Sequence, residues 1–250
     1  MARRPLHVAV KGDWGAGTTA QRAVTRRMCE QRARTPFRDV LTTGDNFYNP
    51  DGTATQVNYV RPERCLIRSE GHRWWPTWGN HDLAGSATED ILGAGRRHYT
   101  WRARGARFIA LDSNRAYADD QRAWLERLLM RATERVVIVY FHHSPLASGD
   151  FRGPDPTVQQ NWMPLFTRYD VTLVLSGHQH AYEHHQARGV DYVVTGGGGA
   201  ALYRCATKPP TLSKCRSVHH FVLLKITGDT VTVRAIDARG GTVDRFTIAA

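Results

Sequence analysis

Lysine is nearly missing from this chain. Of its 34 basic side chains only Lys11, Lys208, Lys214 and Lys225 are not arginine, and along the sequence the arginines form neither a tail nor a single helix face. That spacing excludes a basic arm of the nucleic-acid-binding kind and reads first as surface solvation. The net charge of +11 still attracts anions such as phosphate esters, nucleic acid or acidic membrane surfaces. No apolar run approaches the length that spans a bilayer, so a membrane span is excluded. The opening Met1-Ala2-Arg3-Arg4-Pro5 lacks the apolar stretch and small-residue cleavage site of a secretory leader. The chain as written is therefore expected in the cytoplasm, or outside it if a leader has been removed. Repeats and low-complexity tracts are also missing. Cys29, Cys65, Cys205 and Cys215 show no CxxC spacing, which excludes a zinc ribbon. Cys205 and Cys215 flank Pro209-Pro210 and could close a disulfide in an oxidising compartment; Cys29 is expected as a small buried side chain.

What remains is a 250-residue chain, 41% hydrophobic and 23% charged, enough for one large domain over 1–250 with a sizeable core. Short apolar runs read as strands at 6–10, 39–43, 74–78, 98–101, 108–111, 136–141, 171–175, 190–194, 221–226, 231–236 and 243–248. Pro76 makes a central place for the third of these unfavourable. Helices are expected at 20–34, around 59–67, from Asp119 with Trp124, Leu125, Leu128 and Leu129 on one face, and near 159–166. Strands alternate with helices early and hairpins dominate late. The fold class is thus α/β, a four-layer α/β/β/α sandwich with two mixed sheets, the late hairpins supplying part of the second sheet.

Chemistry-bearing residues recur just beyond the apolar runs. Asp13 sits in Gly12-Asp13-Trp14-Gly15, and Asp45 with Tyr48 in Gly44-Asp45-Asn46-Phe47-Tyr48. Asn80 and His81 lie in Gly79-Asn80-His81-Asp82, His142 follows Val139-Tyr140-Phe141, and His178 and His180 lie in Gly177-His178-Gln179-His180. If the strands lie side by side, all five sets converge on one edge of the sheet, where open α/β sheets place ligands. Carboxylates, imidazoles, a carboxamide and a phenol suit two hard cations, with Asp45 shared. One ion would take Asp13, Tyr48 and a histidine; the other would take Asn80 and two histidines. His81, next to Asn80 but unable to join it on the same ion, suits a general acid.

In that order these five blocks resemble those of the purple acid phosphatases, a branch of the calcineurin-like metallophosphoesterases, over roughly residues 8–200. The resemblance to the small single-domain members implies Fe(III) held by Asp13, Asp45, Tyr48 and His180. It implies a divalent Fe, Zn or Mn held by Asp45, Asn80, His142 and His178. It further implies cleavage of phosphate monoesters with an acidic optimum, a metal-bound hydroxide attacking phosphorus in line and His81 protonating the departing oxygen. The loop after His142 departs from the family, which often carries phosphate-orienting histidines there; residues 144–156 have none. His143 and Arg152 are the candidates for touching substrate. His184, His185, His219 and His220 fall outside the blocks and are expected to be structural or supporting. The expected partner is a small phosphorylated substrate. A phosphodiesterase or nuclease on the same scaffold is the alternative, supported by Arg204, Lys208, Lys214 and Arg216; a nucleic-acid- or lipid-binding protein with a vestigial site is less consistent with an intact ligand set.

Overall fold

The computed structural model describes residues 4–93 and 95–250. The expectation of no leader rests on an opening stretch of which residues 1–3 lie outside the described residues. The described elements run β1 (Leu6–Lys11), α1 (Thr19–Arg34), β2 (Asp39–Thr42), α2 (Arg64–Ile67), β3 (Arg73–Pro76), α3 (Ala87–Asp90), β4 (Tyr99–Ala103), β5 (Ala106–Ala110), α4 (Asp119–Met130) and β6 (Val136–His143). They continue with α5 (Pro156–Asn161), α6 (Met163–Arg168), β7 (Leu173–Gly177), β8 (Tyr182–Ala187), β9 (Val190–Thr195), β10 (Leu212–Arg216), β11 (His220–Thr227), β12 (Thr230–Asp237) and β13 (Thr242–Ala249).

Two mixed sheets result. One has the order β13-β12-β11-β1-β2-β3 and the other β10-β8-β9-β7-β6-β5-β4. β1, β2 and β3 are parallel, as are β5, β6, β7 and β9, so the carboxyl ends within each set point one way. The apolar faces of both sheets meet in a core that includes Val8, Val10 and Leu41 from one side and Phe108, Ile138 and Leu173 from the other. α1 covers the first sheet through Val24 and Met28. α4, α5 and α6 cover the second through residues such as Leu125, Leu129, Val158 and Phe166. This is the expected four-layer sandwich.

Several expectations need correction. The late hairpins extend the sheet that begins with β1, because β11 pairs antiparallel with β1. β8 and β10 were not expected: their histidines, lysine and glutamate hide the strand pattern, and pairing with β9 supplies it. The helix expected near 159–166 is two helices broken at Trp162, just before Pro164, which cannot donate the hydrogen bond that would continue α5. The helix around 59–67 becomes a π-turn at Gln56–Val60 followed by α2. β3 is an edge strand, which accommodates Pro76. Cys29 is not an isolated side chain but is bonded to Cys65, tying α1 to α2 across 36 residues, a pairing no local spacing reveals. Cys205 and Cys215 form the anticipated second disulfide. Among the described residues no helix is long and apolar enough to cross a membrane.

Candidate metal centre

The five motif turns meet at one rim, but they come from both sheets. Asp13, Asp45 and Asn80 follow β1, β2 and β3. His142 is the penultimate residue of β6, and His178 and His180 follow β7. The turns are tight: Asp13, Asp45 and His178 all adopt positive φ, at 55°, 48° and 68°. Such backbone is costly for residues other than glycine and persists only where surrounding contacts enforce it. The neighbouring glycines permit the close approach. A Cβ at Gly79 would lie 2.0 Å from Asp45 Oδ1, and one at Gly177 would lie 2.5 Å from Asp13 Oδ2.

Backbone amides then aim the carboxylates. His178 N–H donates to both Asp13 oxygens at 3.2 and 3.1 Å, and His81 N–H donates to Asp45 Oδ1 at 2.9 Å. Behind them Asp82 accepts from the amides of Asn46, Phe47 and Gly79 at 2.9, 3.2 and 2.8 Å. It thereby staples the Asp45 turn to the Asn80 turn. Burial, reinforced by the Asp45 charge, raises the Asp82 carboxyl to about 7. Asp82 lay inside a recognised block, but its part in holding the two turns together was not anticipated.

Around Asp45 the side chains fall into two groups. Tyr48 Oη lies 3.3 Å from Asp13 Oδ1, 3.2 Å from Asp45 Oδ2 and 3.0 Å from His180 Nε2. On the other side His142 Nε2 lies 3.2 Å from Asn80 Oδ1, 3.5 Å from Asp45 Oδ1 and 3.0 Å from His178 Nδ1. All seven expected ligand-type residues are thus in one cage. His81 stands at its edge, more than a third exposed, with Nε2 4.0 Å from Asp45 Oδ2 and its ring 4.4 Å from that of Tyr48. His143 joins His142 and His178 in a cluster of mutually close nitrogens and is held by Ser113 Oγ, 2.9 Å from Nδ1. Arg152 is half-buried, with its guanidinium 4.6 Å from the Phe151 ring. Phe151 in turn meets Tyr203, whose ring stacks on His180 at 4.1 Å. Arg152 is close enough for its charge to disfavour protonation of His143 and His178.

Two hydrogen bonds decide what the cage can hold. A carbonyl oxygen can only accept, so His142 Nδ1 must donate to Thr43 O at 2.9 Å and His180 Nδ1 to Ala201 O at 2.6 Å. In the neutral rings each Nε2 is therefore a lone pair, and each faces carboxylate oxygen. Burial, with the charge of His143 adding to it, pushes His142 well below the usual histidine value; burial and His142 push His178 to about 2. Those imidazoles stay neutral. Burial raises Asp13 to about 6, against the pull of His180, and burial followed by Asp13 and Asp45 raises Tyr48 well above the usual phenol value. Burial opposes charge on His180, yet the Asp13 carboxylate and its hydrogen bond hold it above the ordinary value. Converging lone pairs and crowded, desolvated anionic groups are what bound cations would relieve, so the donor set fits a pair of metal ions.

Three histidines outside the motif blocks are held by hydrogen bonds away from the cage. His184 pairs with Asp191 and His185 with Glu183, both at 2.7 Å, and His220 bridges Thr195 Oγ1 and Val218 O. Sequence reasoning missed the Thr43 and Ala201 carbonyls, which have no sequence signal because any residue supplies one. It also missed Ser113 and Tyr203, whose places follow only from the pairing of distant strands.

The pattern of the family described as calcineurin-like phosphoesterase matches residues 6–182. An uncharacterized protein of Mycobacterium tuberculosis, Rv2577, is 38% identical over 76 residues, covering 28% of this chain and 14% of that protein. Tartrate-resistant acid phosphatase type 5 of Sus scrofa is 26% identical over 242 residues, covering 77% of this chain and 69% of that enzyme. The match thus spans only a small part of the mycobacterial relative's length. Among solved structures, GAP50, the anchor in the inner membrane complex of Plasmodium, superposes with a TM-score of 0.85 at 16% identity, over 99% of this chain and 89% of that one. The purple acid phosphatase PPD1 from yellow lupin seeds gives 0.84 at 18% identity, over 100% of this chain and 54% of that one. Both likenesses are of fold.

Proposed function

Because the chain belongs to the calcineurin-like phosphoesterase family, we propose that it is a two-metal phosphoester hydrolase acting on small phosphate monoesters at acidic pH, with His81 as the general acid. The observation that carries this reading is the cage around Asp45, with the His142 and His180 lone pairs fixed inward by the Thr43 and Ala201 carbonyls. In it Asp13, Asp45, Tyr48 and His180 would hold Fe(III), because two carboxylates and a phenolate favour a trivalent ion. Asp45, Asn80, His142 and His178 would hold a divalent Fe, Zn or Mn. When bound, such a pair supplies an activated water and neutralises charge developing on the phosphoryl group.

The chain's own residues do the rest. His81 is exposed at the rim, and nothing in the described structure ties its ring by a hydrogen bond, so it is free to meet a departing oxygen and give it a proton. His143, oriented by Ser113, would turn its other nitrogen to the phosphate. Arg152 would supply a positive charge at the mouth to pair with the phosphate. Behind the rim Lys11 and Glu63, fully buried and 2.6 Å apart, brace the Asp13 turn from beneath Trp14.

Turnover of an aryl monoester and a bis-aryl diester, assayed in parallel from acid to neutral pH, tests the substrate class. The expected result is a higher kcat/KM for the monoester with a maximum below neutrality. Faster diester cleavage would replace it with the diesterase reading. One support for that reading is weakened already, since Lys214 Nζ lies 3.4 Å from an Asp244 carboxylate.

A further inference from the structure

Arginines that look scattered along the sequence are gathered in space. A cleft of about 870 Å³ opens at the amino ends of β1, β2 and β3, lined by Arg4, Arg32, Arg38, Arg73 and Arg104 against only two carboxylates, Asp39 and Glu70. It lies at the opposite end of these strands from the cage, roughly 20 Å away for a six-residue strand. We propose that this cleft is a second binding site, for a short phosphoanhydride chain.

Three of the arginines, Arg32, Arg73 and Arg104, are held by hydrogen bonds. Arg73 is clamped by Asp39 through two parallel bonds of 2.9 and 3.1 Å. Arg32 donates to the carbonyls of Phe37 and Glu70 at 2.8 and 3.3 Å, which orients it without cancelling its charge. Arg38 lies over Gly71, where a Cβ would sit 3.1 Å from its Cδ and Nε, so glycine makes room for its stem. Arg104 occupies the tip of the β4–β5 hairpin at φ 49°, followed by Gly105 at φ 86°. Asparagine, aspartate or glycine suits that turn position far better. Arg104 reaches across to donate to Arg4 O at 3.1 Å, closing the cleft between the two sheets. Among the described residues Arg73 alone of the five has a carboxylate within ion-pair distance. His7, pushed down first by burial and then by Lys225, adds no charge near neutrality.

Four guanidinium groups without an ion-pair partner among the described residues, two of them (Arg32 and Arg104) oriented by backbone carbonyls and faced by the one further carboxylate of Glu70, call for more than one anionic centre. The arginines converge on one cleft, without, apart from Phe37, the stacking aromatic side chains that accompany a single-stranded nucleic-acid groove. A chain of two or three linked phosphates, free or carried by a nucleotide, matches its size and charge.

The test is calorimetric titration of the metal-loaded protein with methylenediphosphonate and with the β,γ-methylene analogue of ATP, each with and without saturating orthovanadate to block the cage. A vanadate-insensitive site for either probe is expected. Binding of the diphosphonate identifies a free chain as sufficient, and binding of the nucleotide analogue alone identifies a nucleotide. Arg38→Ser and Arg104→Gly should each weaken that site about tenfold or more while leaving monoester turnover unchanged. Arg104→Gly also relieves the positive φ, so it is expected to fold. No vanadate-insensitive site, or undiminished binding in both variants, overturns the proposal. So does a single-stranded oligonucleotide that binds more tightly than both probes through the same arginines. Loss of the vanadate-sensitive site alone counts against the phosphoesterase reading and leaves this one standing.

Discussion

The cage has two unlike halves. One gathers Asp13, Tyr48 and His180, so two of its three exclusive donors can be anionic. The other gathers Asn80, His142 and His178, which are all neutral. Asp45 touches both, Oδ2 toward Tyr48 and Oδ1 toward His142. The difference is one of charge rather than shape. The first half asks for a highly charged, hard cation and the second for an ordinary divalent one. Each half also has its own brace: the Ala201 carbonyl fixes His180, and the Thr43 carbonyl fixes His142.

The sharpest way to break this comparison is to remove what the halves share. Asp45→Asn should lose metal from both and reduce turnover by more than the roughly hundredfold that follows loss of a group merely hydrogen-bonded to a ligand; elemental analysis showing two retained metals would contradict a shared carboxylate. His81 belongs to neither half. His81→Ala should cut turnover of alkyl phosphates by on the order of a hundredfold or more, and that of activated aryl phosphates far less. Equal losses on both would remove His81 from the acid role. Tyr48→Phe tests the anionic half alone. It should abolish any visible charge-transfer band of the iron-loaded protein and lower turnover by about tenfold, with the divalent ion retained; a persisting band would mean another donor.

The smallest effect sets the background for any pH profile. His72 packs edge-on against Trp74 with both ring nitrogens buried and unpartnered, and burial, reinforced by Lys11 and Arg32, lowers it to about 4. The unfolded chain takes up that proton near pH 6.5 and the folded one near 4, so the unfolded state binds more protons between the two. Stability should therefore fall as pH drops through that window and rise as pH is raised. His72→Phe should flatten the acid side of the melting-temperature profile without touching metal content; an unchanged slope would exclude His72 as its source.

Much of this was legible because the chemistry sits where apolar runs stop. Asp13, Asp45, His142 and His178 could each be placed at a strand end from hydrophobicity alone, and the alternating elements implied stacked layers. The same reasoning treated the runs as one sheet edge, whereas the cage is closed by two sheets. Hydrophobic period does not say which strand pairs with which. β8 was invisible because Glu183 and His185 are buried as a pair, 2.7 Å apart, and such residues read as loop. The Cys29–Cys65 bond and the arginine cleft share that reason: both join segments distant in sequence. Backbone carbonyls that fix a histidine tautomer leave no mark on a sequence at all.

Two half-sites of unequal charge meet on one aspartate. Metal content per chain of the purified protein, measured after aerobic loading with iron and zinc together, tests it most directly. Two ions per chain are expected, with iron in the half that carries Tyr48 and zinc in the other. A single ion per chain in fully active protein, or two ions of one kind bound with no preference, would contradict it.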